Sequence, residues 1–344
     1  MSGVLLDVKN LSVCFDTYAG QVQAVRDVSF QVREGERLAV VGESGSGKSV
    51  MTQSFVSLLP SPPARIAGGQ VVYLGEDILK YSFRQYRKIK GAEIAYVFQD
   101  PMTSLNPTSR IGAQVIEGLV SHRRMDRRAA KAFALELMKK VGIPSPERRL
   151  EQYPYELSGG MRQRVMIAIA IALTPRLLIA DEPTTALDVT IQSQILHILK
   201  HLNQSAGMAL LLITHDMGIV AGMAERMLVM YGGKIVESGP VQALFSGAHH
   251  PYTRALLASV PRLDKEQQGE LQYIVGSPPD MLCPPAGCPF APRCKFSMKA
   301  CFTVMPEEAQ TGPDHLVSCH LAHPGAAAVR ARFESVYAGE VGDA

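Results

Sequence analysis

The sequence predicts an α/β fold with a mostly parallel sheet. An antiparallel β-layer, a helical subdomain and a small cysteine-rich C-terminal extension are added to it. Three observations predict this. Gly42-Glu43-Ser44-Gly45-Ser46-Gly47-Lys48-Ser49 fits the glycine-rich loop pattern G-x-x-x-x-G-K-[ST], between the short apolar run Arg37–Val41 and the helix-forming stretch Val50–Leu59. Three further apolar runs, Ile94–Phe98, Leu177–Ala180 and Ala209–Ile213, each end in polar residues, as buried strands do where an open sheet binds ligands. From 103 to 156 the pattern changes to helical spacing, with Ala130, Phe133, Leu137, Met138 and Val141 on one face.

The chain's 344 residues suffice for one large domain with an appendage. We expect one domain over 1–260 that carries the glycine-rich loop, with its helical subdomain at about 103–173, and an extension over 261–344 whose tail is flexible after about 324. A net charge of +3 is too small to indicate nucleic acid. The first apolar stretch contains Asp7 and shows no basic-then-apolar leader. The longest apolar run, Val165–Leu173, has nine residues, whereas a membrane-spanning helix needs about 20. The chain is therefore expected in the cytoplasm, with any membrane role peripheral.

Taken in order, Val4–Val8, Leu11–Phe15 and Val22–Val32 read as strands of the β-layer. Phe15 and Tyr18 are candidates for stacking on a base, with Phe15 the first choice. In the loop, the glycines let backbone amides turn inward around an anion, and the following helix adds unpaired N–H groups. Lys48 is placed to reach the β- and γ-phosphates of ATP, and the Ser49 hydroxyl to ligate Mg²⁺. Pro60–Gly69 reads as a loop and Gln70–Leu74 as a short strand.

Gln99, at a strand's carboxyl end, is a candidate for Mg²⁺ or the attacking water. The arginines at 123, 124, 127 and 128 read most simply as a solvated face, with a surface near anionic lipid headgroups as the sharper alternative. Leu157-Ser158-Gly159-Gly160-Met161 opens a long helix, with Ser158 as its N-cap and two glycines that let an anion approach. One ATP has one γ-phosphate, already cradled by the first loop, so this second site implies a head-to-tail dimer. Asp181 and Glu182, adjacent at a strand end, point in opposite directions. Asp181 is assigned to Mg²⁺ and Glu182 to the attacking water as general base. His215 ends a third such strand and is placed to contact the γ-phosphate. Met227–Met230 and Lys234–Glu237 read as a terminal hairpin.

Cysteines crowd the last quarter. Cys288, Cys294, Cys301 and Cys319 suggest a metal site, a [4Fe–4S] cluster or a structural Zn²⁺, and their spacing does not choose between them. Cys283 reads as a spare.

In this order the motifs resemble the ATP-binding subunits of ABC transporters, from about Leu5 to Leu257. The match takes in the phosphate loop, Gln99, the Leu157–Met161 signature, Asp181-Glu182, the Ala186-Leu187-Asp188 segment and His215. Met161 departs from the family's usual Gln. Phe98–Pro107, His250-Pro251-Tyr252-Thr253 and Gly287–Cys294 resemble the oligopeptide/dipeptide (peptide/nickel) importer branch and its D-type ATPases. That resemblance implies ATP hydrolysis driving uptake of di- or oligopeptides; nickel, glutathione or murein peptides are alternative cargo. It also favours the iron–sulfur cluster over zinc. The implied partners are a homologous second ATPase, two membrane-spanning permease subunits and an extracytoplasmic peptide-binding receptor, with no nucleic acid. The implied location is the cytoplasmic face of the inner membrane, and Asp188 is implied at the nucleotide. The rival is a soluble ABC-type ATPase acting on nucleic acid. It is disfavoured because sustained heptads are absent and each motif occurs once.

Overall fold

The computed structural model describes residues 3–185, 187–259 and 274–337. Strands β1 (Val4–Thr17), β2 (Gly20–Arg33) and β3 (Arg37–Val41) open the chain. Helix α1 (Lys48–Phe55) follows the glycine-rich loop, then β4 (Ala64–Tyr73), β5 (Glu76–Asp77) and α2 (Phe83–Ile89). Strand β6 (Ile94–Val97) leads into α3 (Pro101–Ser104), α4 (Ile111–Ser121), α5 (Arg127–Lys140), α6 (Pro146–Leu150) and α7 (Gly159–Ile171). Next come β7 (Leu177–Asp181), α8 (Val189–Ala206), β8 (Ala209–Ile213), α9 (Met217–Met223), β9 (Arg226–Tyr231) and β10 (Lys234–Pro240). The rest is α10 (Val241–Gly247), α11 (Pro251–Ala258), α12 (Lys299–Thr303), β11 (Ala309–Gly312), β12 (His315–Val317) and α13 (Ala327–Tyr337).

The chain divides into two compact units. Unit one holds Val32–Arg37 and Asp77–Ile213 with the N-terminal end of β1. Here β6, β7 and β8 pair in parallel, with Ile94 opposite Leu177 and Asp181 opposite Ile213. Every residue of β7 and β8 is buried, which is why both read as unbroken apolar runs. The 103–156 stretch is helical as expected. On α5, Ala130, Ala134, Leu137 and Met138 are buried at helical spacing, while Phe133 is only half-buried. Asp126 caps that helix by accepting from the amides of Arg128 and Ala129. Arg123 lies over the Phe133 ring and donates to Thr174 Oγ1.

Unit two holds Asp7–Gln31, Leu38–Glu76 and the chain from Thr214 onward. Strands β3 and β9 pair in parallel, and β9 and β10 form the expected antiparallel hairpin. The extension then adds β12 against β10 and β11 against β12. In the second sheet β1 lies between β2 and β4. The two predicted strands 4–8 and 11–15 are one strand, β1. Lys9-Asn10 breaks the apolar pattern, but Asn10 takes φ 49° and its Nδ2 donates to Asp27 Oδ1. The predicted loop 60–69 gives way to β4 from Ala64. Gly69 sits in that strand because β1 approaches closely: a Cβ there would lie 2.6 Å from Asn10 O.

One core cluster in unit two joins Val41, Val229, Tyr231 and Tyr252 to Cys288, Phe290 and Cys301, so the extension is built onto the cassette side of this unit. A second cluster gathers Phe296, Leu321, Phe333 and Tyr337. Residues 327–337 of the stretch expected as a flexible tail are instead the helix α13, held by two of those rings, while 338–344 lie outside the described residues. Phe333→Ala removes a buried ring that packs edge-on to Phe296. It should destabilise the chain by about 3 kcal/mol, read as a lower urea midpoint.

Candidate functional site

In unit one, the carboxyl ends of β6 and β7 bring Gln99, Asp181 and Glu182 together. Asp181 is buried, and its Oδ2 accepts from the Tyr96 hydroxyl at 2.7 Å. Glu182 is half-exposed, and its Oε2 accepts from Gln99 Nε2 at 3.0 Å and Thr185 Oγ1 at 2.9 Å. Its amide donates to Ile213 O, and its φ of 44° is a conformation few non-glycine residues adopt. Such strain persists where surrounding bonds over-determine it, as these do. The two adjacent carboxylates have separate partners, although Glu182 lies just beyond β7, where strand alternation no longer sets its direction.

Ser158 caps α7, its Oγ accepting from Met161 N at 3.4 Å. Ser158 and Gly159 are exposed, and a Cβ on Gly159 would meet nothing within 4 Å. A Cβ on Gly160 would lie 2.8 Å from Ile191. Asp188 caps α8 by accepting from Ile191 N at 3.0 Å, so the signature start is packed against the turn that Asp188 begins. Ala186 lies outside the described residues.

The phosphate loop is in unit two. Gly42 has φ 150° and a Cβ there would fall 2.2 Å from Met230 O; Gly47 has φ 99° and a Cβ would fall 2.3 Å from Ala24 O. Both positions therefore exclude any side chain. Lys48 is buried and its Nζ donates to Gly42 O at 2.8 Å and Glu43 O at 3.0 Å, with Ser46 Oγ at 3.5 Å. Ser46 N donates to Glu43 O, while Ser44 and Gly45 are exposed at the loop's tip. Ser49 stands in the first turn of α1, which starts at Lys48, not at Val50. A cationic side chain, a hydroxyl and a ring of amides make a donor set suited to phosphate and Mg²⁺.

His215 is exposed between two fixed points. Thr214 N donates to Val40 O, at the end of the strand that leads into the loop, and Asp216 caps α9. Phe15 is half-buried in β1, and Tyr18 is fully exposed in the β1–β2 connection.

Cys288, Cys294, Cys301 and Cys319 line one cavity with His250, Phe290 and Phe296. All four are free thiols. Burial pushes Cys288 up to about 11 and Cys294 up to about 12, and raises Cys319 as well. His250 is fully buried. Its Nδ1 accepts from Tyr252 N, which leaves the ring proton on Nε2, and Nε2 is buried without a partner. Among the described residues no group of three or more His, Cys, Asp or Glu is arranged to hold a metal ion, so the expected metal site, iron–sulfur or zinc, is not seen in the arrangement of these side chains. Cys283 is exposed and outside the cavity.

Tyr96 and Thr185, which hold the two carboxylates, were not singled out from sequence. Tyr96 had a signal, as the one side chain with a polar tip inside the apolar run Ile94–Phe98.

The model for the family described as "ABC transporter" matches residues 25–185, and that for "Oligopeptide/dipeptide transporter, C-terminal region" matches 236–301. The oligopeptide transport ATP-binding protein OppD of Bacillus subtilis (strain 168) is 49% identical over 322 residues, covering 94% of this chain and 90% of its own. The chain belongs to the oligopeptide/dipeptide branch of the ABC transporter ATP-binding subunits. The dipeptide transport ATP-binding protein DppD of the same bacterium is also 49% identical, over 92% of this chain and 94% of its own. A dimeric, post-hydrolysis structure of the ATP-binding cassette MJ0796 bound to ADP and Pi superposes with TM-score 0.63 at 28% identity, covering 69% of this chain and 98% of that one. The fold is that of the ABC cassette, and the subunit is an ATP hydrolase. The second family match takes in His250, Cys288, Cys294 and Cys301 and stops short of Cys319. Among the described residues no helix is long and apolar enough to cross a membrane.

Proposed function

We propose that this ATPase energises the import of di- or oligopeptides. One observation carries the reading: complete nucleotide motifs and the branch-specific C-terminal region stand on one chain, aligned nearly end to end with peptide-transport relatives. In this reading the loop Gly42–Ser49 binds the phosphates of ATP and Phe15 stacks on the base. Ser49, Asp181 and Gln99 hold Mg²⁺, which neutralises phosphate charge. Glu182 takes a proton from the attacking water, and His215 fixes the γ-phosphate. Ser158, Gly159, Gly160 and Asp188 serve the ATP of a partner cassette. Closure on ATP and reopening after hydrolysis drive two permease subunits, which receive cargo from an extracytoplasmic receptor. The partner cassette is a homologous second ATPase, and the complex holds this chain at the cytoplasmic face of the membrane. Reconstituted with these partners in vesicles, the complex should accumulate labelled di- or oligopeptide in an ATP-dependent way. Accumulation of nickel or glutathione alone would replace the cargo.

The resemblance of the cysteine segment to the importer branch supports a [4Fe–4S] cluster held by Cys288, Cys294, Cys301 and Cys319, whose chemistry would be to staple a small extension by metal–thiolate bonds. His250 Nε2 would then have the acceptor it lacks. Anaerobically purified chain should carry about four irons and absorb in the visible. Cys301→Ala should lose both; a colourless wild-type chain with no iron contradicts the cluster.

A further inference from the structure

Arg293 is 250 residues away in sequence from Glu43, the second residue of the phosphate loop, yet its guanidinium grips that carboxylate with both prongs. Nη1 donates to Glu43 Oε2 at 2.6 Å and Nη2 to Oε1 at 3.1 Å. The other donors go to Tyr231 Oη at 2.9 Å, Ile274 O at 3.0 Å and Val275 O at 2.9 Å. All five guanidinium N–H groups are thus used. The Arg293 side chain is 6% exposed and that of Glu43 24%. An exposed ion pair contributes little, but a buried fork-to-fork pair is short, directional and costly to break from one side.

Glu43 is held by its backbone too. Its amide donates to Tyr252 Oη at 2.8 Å, and Tyr252 packs against Tyr231 and Phe290. Both anchors adjoin the cysteine cavity: Arg293 precedes Cys294, and Tyr252 follows His250 and Pro251. On the other side of Glu43, its carbonyl accepts from Lys48 Nζ. A continuous line of bonds therefore runs from the extension through Glu43 to the lysine of the loop.

We propose that Arg293 is a positioning residue for ATP binding: by clamping Glu43 it sets the phosphate loop and couples it to the folded cysteine extension. This rests on ATP binding at the loop. Linkage makes the coupling reciprocal, so whatever stabilises the extension tightens ATP binding, and ATP steadies the extension.

The test is a titration of the full-length chain with ATP in EDTA, where nothing is hydrolysed, for wild type, Arg293→Gln, Glu43→Gln, the double variant and Arg293→Lys. Each single Gln variant should raise Kd roughly tenfold, within the usual range of coupling between sites. The double variant should be no worse than either single one, because both remove the same pair. Lysine should restore part of the loss, keeping the charge without the fork. In Arg293→Gln, kcat at saturating ATP should stay at the wild-type level. Cys288 and Cys301 are buried, so their unchanged resistance to alkylation certifies a folded extension in each variant. Should Arg293→Gln misfold, Glu43→Gln, changed only on the loop side, still decides. Unchanged Kd in a folded single variant, additive effects in the double one, or a loss in kcat alone would overturn the proposal. Wild-type chain that does not bind ATP would instead overturn the ATP reading on which it rests.

Discussion

Glu182→Gln should bind ATP about as well as the wild-type chain and hydrolyse it 10²- to 10⁴-fold more slowly, roughly what a positioned general base contributes. The substitution is nearly isosteric. Thr185 and Gln99 both donate to Oε2, and an amide oxygen in that place still accepts from them. The amide bond to Ile213 O and the φ of 44° belong to the backbone and survive. What is lost is the carboxylate's capacity to take a proton. With a partner cassette present, the variant should also accumulate as a closed, ATP-filled dimer. Near-normal phosphate release from the purified variant would remove Glu182 from the role of base.

Lys48→Ala should weaken ATP binding on the order of 100-fold, about 3 kcal/mol, the upper range for bonds to a charged group. Lys48 is buried at the start of α1 and its ammonium is oriented by the carbonyls of Gly42 and Glu43. Removing it takes away the one formal positive charge in Gly42–Ser49 and leaves two loop carbonyls without that donor. Lys48→Arg should rescue little, since the loop closes on a compact ammonium and a planar fork is wider. Equilibrium binding of ATP measures both variants; Lys48→Ala at wild-type affinity would place the phosphates elsewhere.

Much of this was legible in the sequence because the cassette's chemistry lies in contiguous stretches. Strands β3 and β8 have the bounds that their apolar runs predict, and the loop, Ser158 and Asp181-Glu182 fall at element ends as expected. Contiguity is also where legibility stops. Gly68-Gly69 looks like a loop until β1 is placed beside it, and β11 and β12, of four and three residues, are too short for periodicity to show. The helix α13 hides because Phe333 and Tyr337 find their partners, Phe296 and Leu321, in a different part of the extension. The Arg293–Glu43 clamp joins positions 250 apart, and no local pattern encodes such a pair. Tyr96 is in the middle case. Its residue type could be noticed, but its partner Asp181, 85 positions on, could be named only once β6 and β7 were known to be neighbours.

This chain, as proposed, couples ATP hydrolysis to peptide import. The most direct measurement is the ATPase rate of the complex captured through this chain from its own membranes, with and without receptor loaded with peptide. Permease subunits should come down with the chain, peptide-loaded receptor should stimulate hydrolysis, and Glu182→Gln should abolish the stimulated rate. A chain captured without membrane partners, whose hydrolysis ignores receptor and rises with DNA or RNA, would contradict it.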